Sequence, residues 1–317
     1  MGIWGIAAGG VGAAAAIEAG ITAYFYRRTM IRQNAKVERT IKMAGTDWSQ
    51  YSDILAERKA FILEKPHENV SQTSFDGLKL EASYYPAAEG SRGNKVVICF
   101  HGYTSQRMKD FIGLSNYYYK NGYAMLHPDA RAHGESEGKY IGFGCLDRKD
   151  ALGWIQWIIE KHGEDVEILL HGISMGGATV LMTGGLPLPT QVKGIISDCG
   201  FTSPREVFTY VLKSMYHLPA FPIIQGANLL NKKLAGYGTD ECNAKREVAK
   251  AQGPMRFIHG SGDTFVPCSM CHELYDACKA PKTKVIIEGA AHAESYFKDM
   301  ETYEKALNDF TESVLTQ

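Results

Sequence analysis

From residue 95 onward, short apolar runs alternate with longer amphipathic stretches. Lys95–Phe100, Tyr123–His127, Val166–His171, Val192–Ser197, Met255–Gly260 and Lys284–Glu288 have the length and apolar content of strands. Arg107–Asn121 and Arg148–His162 read as helices on either side of the second strand, and the chain after Ser174 and after Pro267 also turns helical. Such alternation is the signature of an α/β chain. It breaks once. More than fifty residues separate the strand ending at Asp198 from the one starting at Met255, where a crossover helix needs far fewer. We read about 202–250 as a helical cap over the mouth of a site, with a plain crossover helix and a long surface excursion as the alternative. In a cap, Phe208, Tyr210, Met215, Tyr216 and Phe221 would line the substrate pocket and imply an apolar substrate moiety. The same side chains could instead hold the cap onto the body.

The N-terminus carries a different pattern. Residues 3–26 contain one charged side chain, Glu18, and as a helix would extend about 36 Å at ~1.5 Å per residue. Arg27, Arg28, Arg32, Lys36, Arg39 and Lys42 follow, whereas a cleavable signal peptide carries its positive charge ahead of the apolar core. The pattern predicts a single-pass membrane anchor with the rest of the chain in the cytoplasm. Glu18 at mid-membrane would cost about 2.5 kcal/mol. A helix lying on the membrane surface, or packed against a soluble cytoplasmic body, is therefore the alternative. The expected division is 1–45, helix and basic segment, and 46–317, the α/β domain.

Gly172-Ile173-Ser174-Met175-Gly176 lies at a strand-to-helix junction. A serine between two glycines there forms a nucleophile elbow, a turn so tight that Cβ atoms two residues to either side would collide with neighbouring backbone. In chain order an acid and then a histidine should follow. Asp263, in the Gly260–Asp263 turn after one strand, and His292, in the loop after the next, fit that order. Each sits past a strand's C-terminal end, where parallel sheets gather functional loops. Asp198, at the end of an earlier strand, is the alternative acid; the exposed turn around Asp263 favours the later one. The N–H groups of Met175, directly after the serine, and Tyr103, in the loop after Phe100, are the candidate oxyanion donors. His101 reads as a structural residue bonding that loop.

Together His101-Gly102-Tyr103, Asp129–Ser136, the elbow, Gly262-Asp263 and His292 resemble the α/β-hydrolase family over about residues 70–317. More narrowly, the chain resembles bacterial esterase-like serine hydrolases with an N-terminal hydrophobic segment. The resemblance implies a mostly parallel eight-stranded sheet flanked by helices, a covalent acyl-enzyme and no cofactor. Within it, the Asp129–Ser136 loop is expected to be architectural.

A chain of 317 residues with 45% hydrophobic content can build one large core. Its net charge of −1, with no basic stripe, argues against nucleic acid as a partner. Seven cysteines without regular spacing favour reduced thiols, and Cys268 and Cys271 have no second pair with which to hold zinc or another metal. The reading is a serine hydrolase acting on a small carboxylic ester through Ser174, Asp263 and His292. A thioesterase or peptidase using the same residues, or a silent hydrolase fold serving as a binding or scaffold protein, are the alternatives.

Overall fold

The computed structural model describes residues 3–32, 46–91 and 93–316, with side chains of the first helix described from residue 16 onward. Eight strands, β1 (Glu68–Thr73), β2 (Lys79–Tyr85), β3 (Lys95–Phe100), β4 (Ala124–Pro128), β5 (Glu167–Ile173), β6 (Val192–Asp198), β7 (Met255–Gly260) and β8 (Lys282–Ile287), form one sheet. Their order is β1-β2-β4-β3-β5-β6-β7-β8, antiparallel at the β1–β2 and β2–β4 pairs and parallel elsewhere. This is the mostly parallel α/β-hydrolase sheet that the sequence resemblance implied.

Successive strand residues face opposite sides, and the burial follows. Val96 and Ile98 of β3 belong to one apolar core, and Val97 and Cys99 to the other. Strands buried on both faces tend to read as apolar runs, as Ile168–Leu170 of β5 do. The edge strand β1 (Glu-Asn-Val-Ser-Gln-Thr) is largely exposed and offers no apolar alternation to detect.

The helices are α1 (Ile3–Met30), α2 (Ser52–Leu63), α3 (Ile112–Lys120), α4 (Asp147–His162), α5 (Met175–Thr183), α6 (Pro204–Tyr216), α7 (Ile223–Ala235), α8 (Ala244–Val248), α9 (Cys268–Ala277), α10 (Ser295–Lys298) and α11 (Met300–Val314). Helix α4 shows why they form where they do. Asp147 and Asp150 occupy its first turn and Lys161 and His162 its last, matching the helix dipole. Ala151, Trp154, Ile155, Ile158 and Ile159 make its buried stripe, and Gly163 at φ 90° ends it. Between β6 and β7, where the alternation breaks, lie α6, α7 and α8.

The parallel strands end level with one another. Phe100 pairs with Gly172, Ile173 with Asp198, and Gly260 with Ile287. The loops after β3, β5, β7 and β8 therefore open at one edge of the sheet, with the expected site residues among them.

Among the described residues no helix is long and apolar enough to cross a membrane, so a spanning role for residues 3–26 is not supported. The end of α1 is committed elsewhere. Thr22, Tyr26 and Met30, one turn apart on one face, are buried against the body of the protein. The Tyr26 hydroxyl lies 3.4 Å from Asn231 Oδ1, and Glu18 accepts a hydrogen bond from Thr22 at 2.8 Å. Past the helix, the Ile141 N–H donates to the Met30 carbonyl at 2.9 Å and the Arg32 N–H to that of Lys139 at 2.8 Å. The Arg32 guanidinium donates to the carbonyls of Gly134, at 2.6 Å, and Ser136. Arg32 thus serves as a clamp instead of a membrane flank; Lys36, Arg39 and Lys42 lie outside the described residues. The turns from Thr22 to Arg32 thus pack on the α/β body.

Candidate active site

Ser174 links β5 to α5 at φ 56° and ψ −113°, a strained backbone for a residue with a side chain. The flanking glycines make the turn possible. A Cβ on Gly172 would land on the Gly176 carbonyl, and one on Gly176 on the Phe100 carbonyl of β3. The Ser174 N–H is held by the Asp198 carbonyl at 2.8 Å.

His292 Nε2 lies 2.8 Å from Ser174 Oγ, and its Nδ1 lies 2.7 Å from Asp263 Oδ2. All three side chains are buried. Asp263 Oδ1 accepts the N–H groups of Phe265 and Val266 at 2.9 and 2.8 Å. Burial pushes the Asp263 carboxyl up, but the positive character of His292 and the hydrogen bonds from His259 and His292 outweigh it. The group is held well below the ordinary carboxylate range. His259, which the sequence reading overlooked, sits 3.2 Å from Asp263 Oδ2 while its Nε2 also meets the Val266 carbonyl at 2.9 Å. The available signal was its place four residues before the acid, on the strand that leads to it.

Asp198, the alternative acid, is turned away. Its Oδ2 accepts from the Tyr303 hydroxyl at 3.0 Å, and Tyr303 also meets His171 Nε2 at 3.2 Å. Complete burial pushes its carboxyl up to about 6, against the opposing pull of that hydrogen bond. Cys199, Asp263 and His292 bring ligand-type atoms within 4.8 Å of one another. Asp263 is already shared between two histidines, and burial drives the Cys199 thiol well above its usual range, so this set does not fit a metal centre.

The loop after β3 packs beside the serine. A Cβ on Gly102 would come within 3.3 Å of Ser174 Cβ. The Asp110 carboxylate holds this loop from below, accepting Gly102 N–H at 2.7 Å and Ser105 Oγ at 2.6 Å. His101 takes the Ala130 N–H on Nε2 at 3.0 Å, which leaves Nδ1 as the donor to the Gly102 carbonyl at 2.8 Å. That is a structural role. Tyr103 follows directly, and Met175 opens α5, where helix N–H groups lack intrahelical partners. Asp129 likewise organises its own loop, accepting from Arg107, from the Glu135 N–H and, through its carbonyl, from Ser136 Oγ.

Ser174 opens into a predominantly apolar cleft that is open to solvent at its mouth. Phe208, Met215 and Tyr216 line it as expected, together with Val207, Val211 and Leu212 of the same helix. Tyr210 and Phe221 do not. Tyr210 is about 200° around α6 from Phe208 and faces a polar groove with Arg205 and Lys213. Phe221, in the connection to α7, is 72% exposed. The helical period of Val207, Val211 and Met215 was the signal that separates inner from outer residues. Phe25, Tyr26 and Met30 from α1 and Phe143 also line the cleft, and of these Phe25 and Tyr26 fall in the stretch expected to enter a membrane.

The family described as "Serine aminopeptidase, S33" matches residues 91–235. The uncharacterized protein YqkD of Bacillus subtilis is 30% identical over 230 residues, covering 73% of this chain and 75% of that protein. Among solved structures, the Pyrococcus furiosus esterase Pf2001 superposes with a TM-score of 0.66 at 22% identity, over 81% of this chain and 94% of its own. The α/β-hydrolase GrgF from Penicillium sp. sh18 superposes at 0.62 with 17% identity, over 78% and 99%. At these identities the two structures speak for the fold.

Proposed function

We propose that this chain, which belongs to the α/β-hydrolase family, is a serine hydrolase that cleaves small carboxylic esters bearing an apolar acyl or alcohol group. The observation that carries the reading is the hydrogen-bonded line from Ser174 through His292 to Asp263, opening onto an apolar cleft. Ser174 Oγ attacks the ester carbonyl carbon while His292 Nε2 takes its proton. The N–H groups of Tyr103 and Met175 receive the developing oxyanion. The bond to the alcohol oxygen breaks, and the alcohol leaves with the proton from His292. Water then attacks the acyl-enzyme with His292 again as base, releasing the acid and restoring Ser174. Asp263 keeps the imidazole oriented and stabilises its charged form, and no cofactor enters these steps. The strained elbow favours this reading over a silent scaffold, which gains nothing from holding Ser174 at positive φ. Seven free cysteines suit a reducing compartment.

A fluorophosphonate probe should add one covalent adduct, at Ser174. Ser174→Ala should lose several orders of magnitude in ester turnover, since the triad acts as a unit. Labelling at another serine, or full turnover in the variant, would overturn the reading. A parallel set of thioesters and aminoacyl anilides tests the thioesterase and peptidase alternatives by which bond is cut fastest.

A further inference from the structure

We propose that the last turns of α1 form a wall of the acyl pocket and set the chain length it accepts. This rests on the ester-hydrolase reading above and adds to it a part of the chain outside residues 91–235, the stretch that the family match covers.

Phe25, Tyr26, Thr29 and Met30 line the same cleft as Ser174. Phe25 stands against the covering helices, its ring 4.8 Å from that of Tyr216 in an edge contact. It packs in the small apolar cluster built by Leu212, Ile223 and Ile224. A side chain so placed limits how far methylenes can extend between α1 and α6. The wall is also fixed. Its C-terminal end is pinned through the Met30 carbonyl and Arg32, and its approach to α7 depends on Gly226, where a Cβ would meet Thr22 Cγ2 at 2.9 Å. The Tyr103 hydroxyl donates to the Arg28 carbonyl at 3.1 Å. The helix that bounds the chain therefore also braces the residue proposed to hold the oxyanion.

The test compares kcat/KM for p-nitrophenyl acetate, butyrate, octanoate and laurate on the full-length protein and three variants. Phe25→Trp narrows the pocket, and the octanoate-to-acetate ratio should fall about tenfold, the scale on which a hydrophobic pocket distinguishes small differences in chain. Phe25→Ala widens it, and the laurate-to-octanoate ratio should rise by about as much. Gly226→Leu, at a position that does not line the cleft, should push α1 outward and move the profile towards longer chains. If Phe25→Ala does not fold, the other two decide. A profile matching the parent in every folded variant overturns the proposal, and so does a uniform loss over all four esters, which marks α1 as a structural support only. A parent that hydrolyses none of the esters and is not labelled at Ser174 overturns the hydrolase reading, and this proposal with it.

Discussion

At the residue scale, two buried aspartates near one histidine have been given opposite tasks by their neighbours. Asp263 accepts two backbone N–H groups and faces two histidines, so it stays ionised; Asp198 accepts from the Tyr303 hydroxyl on Oδ2, and its Oδ1 finds no hydrogen-bond partner among the described residues. Asp263→Asn should lower ester turnover by about 10⁴, because an amide in that place favours the wrong imidazole tautomer. Asp198→Asn should keep turnover within about tenfold, since Tyr303 can still donate to the amide oxygen. Thermal melts give a second measure. An unfolded aspartate ionises near pH ~4, while folded Asp198 keeps its proton to about 6. As pH rises through that window the unfolded chain loses a proton that the folded chain retains, and stability falls by ~3 kcal/mol. Asp198→Asn should remove that part of the fall. Equal slopes in parent and variant, or the reverse order of activity, would reject the assignment. The hydrogen-bonded line Ser174–His292–Asp263 was legible because chain order and strand ends locate its members from sequence. His259 was not, because its part depends on a distance across a loop.

At the scale of elements, the covering helix α6 was half legible. Ser203-Pro204 followed by Glu206 is a sound start signal: Ser203 Oγ accepts the Glu206 N–H at 3.2 Å, and Pro204 needs no partner there. Ser203→Ala should cost about 1 kcal/mol and lower the melting midpoint by ~3 °C. An unchanged midpoint would mean that the buried face alone holds the helix. Its inner and outer faces were separable by period, yet reading aromatic residues as one set placed Tyr210 inside. The edge strand β1 was invisible for another reason. An exposed edge strand has no apolar rhythm, and its pairing with β2 is settled by backbone hydrogen bonds that any sequence can make.

For the whole molecule, the apolar N-terminus shows where composition stops being informative. A stretch poor in charge can satisfy a bilayer or the wall of a cleft equally well. What distinguishes them here is specific contact: Thr22 beside Gly226, Tyr26 beside Asn231, and Met30 carrying the Ile141 N–H. Removing residues 1–31 should therefore do more than release a tether. Loss of the buried Tyr26 and Met30 side chains alone amounts to ~3–6 kcal/mol, a fall of about 10 °C in melting midpoint. A truncated chain that melts with the parent would mean that α1 contributes nothing to the fold. The sheet, by contrast, was legible from β3 onward to within two residues at each strand end, because strands buried on both faces, as β3 to β5 are, leave little choice of sequence.

The hydrogen bond between Tyr26 and Asn231 also has a consequence for the order of synthesis. It joins residues 205 positions apart. At ~5–20 residues per second a ribosome needs on the order of 10–40 s to make that interval. During that time Phe25 and Tyr26 have left the ribosome without α6 and α7, against which they pack. Residue 292 comes later still. Helix α1 thus waits for α7 before this contact can close, and the line from Ser174 to Asp263 waits longer for His292.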